Sequence, residues 1–283
     1  MEQGMISVGI PAYNEEKTIR KAIKAVLPQI GPDDEVLVVA SACTDNTIDE
    51  ARSLGDPRIR VIEQKEKAGK VSAINIIMRE AKHKYILLLD ADVIAADNAI
   101  EKLMAELQKD DVGAVSAKII NYKRENFWDK LQGFGWYALD HQKMEENANG
   151  MFWALNGFLA GVKKGIIGPL DETSLVDDAI LGWEVKQAGY KCAYVPEAHV
   201  FVQAAQNWQD YKKQKIRVRV GWWQMTEKGM NFSDRRNWRQ LKYFLTNLYA
   251  WPYIVVDGII WLKARSDYRK RKFIWEQIKT SKI

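Results

Sequence analysis

Short apolar segments alternate with amphipathic segments from residue 6 to residue 117, and this alternation restricts the fold more than any other feature of the chain. The apolar runs predict buried strands over residues 6–10, 35–40, 59–62, 85–89 and 112–117. The segments between them predict helices over residues 15–27, 47–54, 69–82 and 98–109. Continuous apolar strands separated by helices are typical of a parallel sheet covered on both faces. We therefore expect an α/β fold with a mostly parallel central sheet.

The pattern changes after residue 121. It predicts helices over residues 127–144, 178–187 and 208–228 and a short strand over residues 192–195. The chain shows no internal repeat and no low-complexity linker. We expect one domain over residues 1–230 and a basic, aromatic helical extension over residues 231–283.

Charge is distributed unevenly along the 283 residues, whose net charge is +5. Residues 211–283 hold 18 Lys and Arg against 5 Asp and Glu, whereas residues 1–210 hold 24 against 32. A basic segment on an acidic body indicates an anionic partner, such as a phosphate-bearing substrate, an anionic membrane surface or a nucleic acid. We expect no nucleic acid, because no recognition motif accompanies the charge. Cys43 and Cys192 are too few for a disulfide scaffold and favour a reduced, cytoplasmic compartment.

Residues 243–262 have the length of a membrane span but not its composition. Asn247 and Asp257 are costly in hydrocarbon, and Pro252 is expected to break a helix. Aromatic side chains that suit a membrane interface are Trp251, Tyr253 and Trp261. The basic residues that flank the segment are Arg235, Arg236, Arg239, Lys242, Lys263, Arg265, Arg269, Lys270, Arg271 and Lys272.

We interpret this segment as a helix pair that lies on an anionic membrane surface. The protein would then be peripheral or monotopic on the cytoplasmic side of the cell membrane. The alternative is a core helix or an oligomer contact in a cytoplasmic protein. The first residues show no basic segment followed by an apolar run, so we expect no signal peptide.

Polar residues follow several of the predicted strands, at residues 11–15, 41–46, 65–70 and 90–92. Ligands of such sheets bind beyond the carboxyl ends of the strands. Asp90 and Asp92 end a buried strand and can share a hard divalent cation that also bridges to a diphosphate. Oxygen ligands suit Mg²⁺ or Mn²⁺. The alternative is a pair of solvated loop aspartates.

Taken together in their order, the sequence motifs resemble those of a family 2 glycosyltransferase of the GT-A fold. The motifs are VGIPAYNEEKTI at 8–19, VVASACTDNT at 38–47, KAGKVSAIN at 67–75, LLLDAD at 87–92, LNGFLAGVKK at 155–164, VDDAILGWEVKQAGYKCAYVPEA at 176–198 and QKIRV at 214–218. The resemblance implies inverting, metal-dependent transfer of a sugar from a nucleoside diphosphate sugar, with UDP or GDP, to a hydroxyl or phosphate. The acceptor would be lipid-linked or a glycan.

The resemblance also implies a donor site at the strand ends. The residues that it assigns to the nucleotide sugar are Pro11, Tyr13, Glu15, Ser41, Lys70, Asp90, Ala91 and Asp92. Asp92 would bind the cofactor, Mg²⁺ or Mn²⁺, directly, and Asp90 would contribute beside it. Ser41 stands where many relatives have an aspartate that contacts uracil, which leaves both UDP and GDP open. Lys70 would pair with phosphate or only begin a helix.

Gln214 and Arg217 would hold the diphosphate. They lie three residues apart on one helix face and resemble the QxxRW motif of relatives that build polysaccharides. Arginine suits this role because its guanidinium matches phosphate oxygens in shape. Val218 replaces the tryptophan of the motif, which argues against processive polymerisation.

Asp178 would be the general base that takes the proton from the acceptor hydroxyl. The other residues that the resemblance places on the acceptor side are Asn156, Gly157, Asp177 and Trp222. Asp177 stands where the family usually has a glutamate. The two aspartates can also stabilise the start of a helix, where negative charge is favourable, and a base can have both tasks. Trp222 can instead be a packing residue.

Other functions fit the residues less well. A sugar nucleotidyltransferase would have a glycine-rich loop after the first strand, where this chain has Pro-Ala-Tyr-Asn-Glu. A non-catalytic sugar-binding or membrane-binding module would not need Asp90, Asp92 and Asp178 together. A non-processive glycan-chain transferase with a soluble acceptor stays open as an alternative.

Overall fold

The computed structural model describes residues 4–66, 69–123, 125–230 and 251–269. The predicted basic flanks within residues 231–250 and 270–283 lie outside that part of the chain, as do residues 67 and 68 of the loop after the third strand. The strands are β1 Ile6–Ala12, β2 Glu35–Ser41, β3 Ile59–Gln64, β4 Tyr85–Leu89, β5 Ile94–Ala95, β6 Val112–Asn121, β7 Leu159–Lys163 and β8 Lys191–Val202. The helices are α1 Ile19–Val26, α2 Thr47–Arg52, α3 Gly69–Glu80, α4 Ala99–Leu107, α5 Phe127–Ala148, α6 Asp177–Gln187, α7 Trp208–Glu227 and α8 Trp251–Arg269.

Within the described residues, the strands form one eight-stranded sheet in the order β3-β2-β1-β4-β7-β6-β8-β5. The half built from β3, β2, β1 and β4 is parallel, as the sequence predicts. In the other half, β7 runs antiparallel between β4 and β6, and β8 is parallel to β6. The sheet is therefore mixed beyond β4, and the carboxyl ends of the four parallel strands lie at one edge.

Helices cover both faces of the sheet, since every side chain of β2 is buried. On one face, α1 presents Ile19, Ala22, Ile23 and Val26, which recur at the spacing of a single helix face. On the other face, α3 and α6 pack on residues such as Leu37 and Val162. The predicted α/β architecture is confirmed.

The last described helix, α8, packs on α7 and α5. Arg219 of α7 forms an ion pair with Asp257, and the Lys215 ammonium lies 3.4 Å from the Tyr253 hydroxyl. Tyr253 also packs on Phe134 of α5, with ring centroids 6.0 Å apart. Contacts to α7 thus neutralise the carboxylate that would be costly in hydrocarbon.

In the described part of the chain α8 begins at Trp251, so Pro252 stands in its first described turn, where a proline is tolerated. The residues before Trp251 lie outside the described ranges, so the expected break at this proline stays a prediction. Of the helices in the described ranges, none combines the length and the apolar composition needed to cross a membrane. Residues 243–250 of the segment singled out by the sequence lie outside the described part.

Candidate active site

The carboxyl ends of the parallel strands bring several predicted site residues together. Asp90 directly follows β4, and its amide donates to the carbonyl of Phe158 at 3.0 Å. Asp177 and Asp178 begin α6. Gly221 of α7 packs closely on Val176, where an added Cβ would lie 2.6 Å from a methyl carbon. Strand β4, helix α6 and helix α7 therefore meet at this edge of the sheet.

The Lys70 ammonium links the two acidic elements. It lies 2.7 Å from Asp90 Oδ1 and 2.9 Å from Asp177 Oδ2, and it donates to the carbonyl of Gly157 at 3.3 Å. The side chain is 21% exposed. Since Lys70 is the second residue of α3, the helix places this cation at the strand ends.

Two carboxylates share one ammonium here, and burial acts on their pKa values together with the neighbouring charges. Burial alone would lower the pKa of Lys70, but Asp177 and Asp90 hold it above the ordinary value. Burial raises the pKa of Asp90 to about 6, and the nearby Asp177 adds to the rise while Lys70 and Arg217 oppose it. Burial also acts to raise the pKa of Asp177, but Lys70 and Arg217 lower it below the ordinary value. The site therefore has a surplus of negative charge and favours a further cation.

Asp178 lies beside this group, and its Oδ1 accepts a hydrogen bond of 2.8 Å from the Ala179 amide. Burial and the negative charge of Asp177 raise its pKa, while Lys70 and Lys143 lower it. A carboxylate of raised pKa in a cleft is suited to accept a proton. The helix-capping alternative holds only in part, because α6 has Val176 at its N-cap and no side-chain cap bond there.

Gly157 leaves open space between the acids. A Cβ added there would lie 3.4 Å from Asp177 Oδ2, 3.4 Å from Lys70 Nζ and 3.5 Å from Asp178 Cβ. The absence of a side chain thus leaves a methyl-sized gap beside the predicted base. Asn156 contributes differently, because it is buried and bonds the backbone of Ala117 and Phe158. Its observed contacts shape the loop, and its predicted acceptor-side role stays a prediction.

The donor set at the end of β4 fits a divalent cation that is shared with a diphosphate. Asp92 is half-buried two residues after Asp90, and Ala91 between them is buried, so it can meet a ligand only through its backbone. Across the described ranges, no group of three or more His, Cys, Asp or Glu could hold a metal ion without other ligands. Mg²⁺ commonly uses one or two carboxylates and completes its shell with water and phosphate oxygens. The contact between Asp90 and Lys70 shows that this position already attracts a cation.

The loops after β1 and β2 are bonded to each other on the predicted nucleotide side. The Glu15 amide donates to the Thr47 hydroxyl at 2.7 Å, and the Glu15 carboxylate accepts from Thr18 at 2.8 Å. Glu15 therefore stabilises the start of α1. Tyr13 is half-buried in the same loop, and Pro11 is half-buried near the end of β1, where it is aligned with Val39 of β2. Their contacts with a nucleotide, and that of Glu15, stay predictions.

Ser41 and Gln64 are aligned across β2 and β3 at their carboxyl ends. Among the described residues, neither the Ser41 hydroxyl nor Gln64 Oε1 has a hydrogen-bond partner, although both atoms are buried. The sequence drew attention to Ser41 alone. Gln64 was missed because a polar residue at the end of a predicted strand gives no distinctive signal.

Helix α7 brings only one of its two predicted diphosphate residues toward the acids. Arg217 lies close enough for its charge to lower the pKa of Asp90 and Asp177. Gln214 Oε1 instead accepts a hydrogen bond of 2.7 Å from Gln132, which joins α7 to α5. Its predicted role at the diphosphate thus competes with a helix contact.

One aromatic and one basic residue, Trp222 and Lys143, complete the surroundings of the site. The Trp222 ring lies 5.8 Å from the Trp153 ring, which supports the packing alternative for Trp222. Lys143, which the sequence did not indicate, is 3% exposed and lies over the rings of Phe152 and Tyr194. It provides a second positive charge near Asp178.

Known proteins resemble this chain in sequence and in fold. Glycosyltransferase GlyG of Streptococcus pneumoniae is 33% identical over 133 residues, which are 46% of this chain and 44% of that protein. A poly-beta-1,6-N-acetyl-D-glucosamine synthase of Staphylococcus epidermidis is 22% identical over 265 residues, or 91% of this chain and 62% of the synthase. The chain thus spans less than two thirds of the length of either relative.

Two solved structures share the fold. A mannosyltransferase from Pyrobaculum calidifontis, PcManGT, solved with GDP-Man and Mn²⁺, superposes with a TM-score of 0.71 at 19% identity and covers 96% of this chain and 89% of its own. Glucosyl-3-phosphoglycerate synthase from Mycobacterium tuberculosis, solved with Mn²⁺ and UDP-glucose, gives a TM-score of 0.58 at 20% identity, with 81% of each chain covered. These likenesses confirm the GT-A architecture.

The family is shown by the sequence itself. The model of the family described as Glycosyl transferase family 2 matches residues 7–167, which are more than half of the chain and include β1 to β7. This match confirms the resemblance carried by the motifs: the chain belongs to glycosyl transferase family 2.

Proposed function

We propose that this glycosyltransferase moves a sugar from a nucleoside diphosphate sugar to a hydroxyl or phosphate of a glycan or lipid-linked acceptor, with inversion at the anomeric carbon. The observation that carries the proposal is the acid cluster at the strand ends. Lys70 joins Asp90 and Asp177 there, and Asp178 lies beside the gap at Gly157. One carboxylate that accepts the proton of the attacking hydroxyl fits a single displacement, and a single displacement inverts the sugar.

Each side of the cluster has a different task in this proposal. Asp178 accepts the proton of the acceptor hydroxyl on the side of the gap, where its own side chain is half-buried. Arg217 and Lys70 place positive charge where negative charge develops on the departing diphosphate. Asp92 and Asp90 would hold Mg²⁺ or Mn²⁺. A bound divalent cation supplies charge neutralisation to that leaving group.

The relatives support a donor of this class and leave its base open. One structural neighbour was solved with GDP-Man and another with UDP-glucose, and both were solved with Mn²⁺. The Staphylococcus epidermidis relative is named for a polymer of N-acetylglucosamine. That name favours the glycan acceptor over the lipid-linked one, and Val218 in place of the motif's tryptophan favours a non-processive reaction.

A transfer screen tests the activity. The purified protein is incubated with UDP-sugars and GDP-sugars, with glycan and polyprenyl-phosphate acceptors, and with Mn²⁺, Mg²⁺ or EDTA. We expect nucleotide release from one donor, abolished by EDTA and by Asp92→Asn. The matched control is Asp111→Asn, because Asp111 pairs with Lys191 at an exposed position. Metal-independent turnover would contradict the metal assignment, and donor binding without turnover for any acceptor would contradict the transferase assignment.

We also propose that the enzyme works at an anionic membrane surface on the cytoplasmic side. The support comes from α8, where Trp251, Val255, Ile259 and Leu262 are exposed by 51%, 57%, 54% and 65% and recur on one helix face. The cations on the following turns are Lys263, Arg265 and Arg269. An apolar stripe beside cations is typical of a helix that lies in a lipid interface.

Vesicle flotation tests this surface. We expect binding to phosphatidylglycerol vesicles and loss of binding in a Val255→Glu, Ile259→Glu double variant. Met151→Glu is the control, because Met151 is exposed elsewhere on the protein. Equal flotation of the double variant and the wild type would contradict the assignment to α8.

A further inference from the structure

Lys70 uses all of its hydrogen-bonding capacity within the protein. An ammonium has three N–H donors. Three oxygens lie within reach of Lys70 Nζ: Asp90 Oδ1 at 2.7 Å, Asp177 Oδ2 at 2.9 Å and the Gly157 carbonyl at 3.3 Å. In this arrangement no donor of Lys70 is left for a phosphate oxygen. A phosphate contact therefore requires Lys70 to release one of these partners.

Asp90 is the partner that ligand binding would remove. It stands two residues from Asp92, at the end of β4 where the proposed function places a divalent cation. A divalent cation and an ammonium repel each other strongly when they approach the same carboxylate in a half-buried site. Asp177 is on the other element, and its side chain is less exposed than that of Asp90, at 11% against 21%. Lys70 can therefore keep Asp177 while it gives up Asp90.

We propose that Lys70 is a displaceable counter-ion of the donor site. It holds Asp90 and Asp177 together before the donor binds, leaves Asp90 when the metal-bound diphosphate enters, and remains on Asp177 as a positioning residue for the neighbouring Asp178. This inference rests on the proposed function, because it assumes that Asp90 and Asp92 accept a divalent cation.

The inference requires that Lys70 opposes metal binding although it assists turnover. Without the ammonium, Asp90 loses the cation that contacts it directly and keeps only the more distant charge of Arg217, so Mn²⁺ alone should bind more tightly. Turnover should nevertheless fall, because Asp177 loses the cation that holds it in place and the diphosphate loses a positive charge. A lysine that only begins α3, or that only binds phosphate, predicts no gain in affinity for the metal alone.

Mn²⁺ binding to the nucleotide-free protein separates these possibilities. Free Mn²⁺ is measured by electron paramagnetic resonance during titration of the wild type, Lys70→Met, Lys70→Gln and Lys70→Arg. We expect the two neutral variants to bind Mn²⁺ on the order of tenfold more tightly, and Lys70→Arg to stay within about threefold of the wild type. Arg79→Met is the matched control, because it removes one positive charge from the exposed far end of the same helix. Two neutral variants are used so that a folding defect in one leaves the other.

The outcomes distinguish this inference from the proposed function. Tighter Mn²⁺ binding together with reduced turnover in both neutral variants supports it. Equal or weaker Mn²⁺ binding in those variants, with metal-dependent turnover of the wild type, overturns the counter-ion role and leaves the proposed function in place. An equal gain in Arg79→Met overturns it as a general charge effect. No Mn²⁺ binding by any variant, with or without UDP or GDP, overturns both.

Discussion

Asp178→Asn tests the proposed base with little disturbance of the fold. The asparagine has the size of the aspartate, and its side-chain oxygen can still accept the 2.8 Å hydrogen bond from the Ala179 amide. The bonds of Lys70 to Asp90, Asp177 and Gly157 do not involve residue 178. The substitution therefore removes the proton acceptor and leaves the donor side of the cluster as it is.

The expected loss follows from the size of general-base catalysis. A positioned base contributes about 10² to 10⁴ in rate. At about 1.4 kcal/mol for each factor of ten, this is roughly 3 to 5.5 kcal/mol of transition-state stabilisation. Donor affinity should change less than about threefold, because the contacts of Lys70 and the acids at the end of β4 remain.

The pH profile gives a second, independent readout. Burial and the charge of Asp177 raise the pKa of Asp178 above its ordinary value. The base acts only when deprotonated, so kcat of the wild type should fall as the pH falls through this raised pKa. The residual rate of Asp178→Asn should lose the acid limb that belongs to residue 178.

The assay measures kcat and KM from nucleotide release with saturating acceptor, and it measures donor Kd by calorimetry without acceptor. Asp111→Asn serves again as the control, since its ion pair with Lys191 is exposed. A kcat of Asp178→Asn within threefold of the wild type would refute the base role. A loss of donor affinity as large as the loss of kcat would show that Asp178 acts in donor binding instead.

Three further substitutions test other parts of the structure. Burial alone would raise the pKa of Glu35, but the Lys82 amide, the Ser7 hydroxyl and Arg60 hold it below 4.5, so the stability that the ionised Glu35 contributes is complete above that pH and is lost as the pH falls through the folded-state pKa. Glu35→Gln should lower the free energy of unfolding in urea by about 2 kcal/mol at pH 7 and weaken its dependence on acid pH, and an unchanged pH dependence would refute this. Gly157→Ala places a methyl group 3.4 Å from the Lys70 ammonium, so acceptor KM should rise about tenfold with Mn²⁺ affinity unchanged, and a normal KM would show that the gap is not used. Arg219 and Asp257 form a half-exposed ion pair, and a double-mutant cycle should give a coupling energy of about 1 kcal/mol between them. This coupling energy should decrease as the salt concentration rises, and zero coupling would show that apolar contacts alone hold α8.

Local sequence patterns were sufficient for the strands that are buried on both faces. The runs that became β1, β2 and β4 are continuously apolar, since both of their sides meet helices. Strand β7 was missed because Leu159–Lys163 is short, contains a glycine and runs antiparallel between two parallel strands. Strand β8 extends seven residues beyond its predicted end at Val195: residues 196–198, which include Pro196 and Glu197, form an irregularity without β6 partners, and the pairing with β6 resumes at His199.

The candidate site was only partly accessible to sequence reasoning. Each acid was predicted from its motif, but the contact of Lys70 with Asp177 joins residues more than a hundred positions apart, and spacing carries no signal at that distance. The same limit applies to Gln214, whose partner Gln132 lies on another helix. Tertiary packing decides whether such a polar side chain faces a ligand or a neighbouring helix.

Helix α7 connects the two surfaces on which the proposed function depends. Lys215 and Arg219, four residues apart on one side of the helix, contact Tyr253 and Asp257 of α8. Arg217, midway between them, therefore points away from α8 and carries its charge toward the acids. One helix thickness, about 10 Å with side chains, thus separates the helix with the exposed apolar stripe from the proposed diphosphate position.

If α8 lies on a membrane, an acceptor held at the lipid surface needs little chain length to reach Asp178, whereas a soluble glycan gains nothing from that proximity. Transfer to a polyprenyl-phosphate acceptor should therefore depend on anionic vesicles and on Val255 and Ile259, and transfer to a soluble glycan should not. Comparing the two acceptors with and without vesicles measures this difference, and equal vesicle dependence for both would refute the geometric argument.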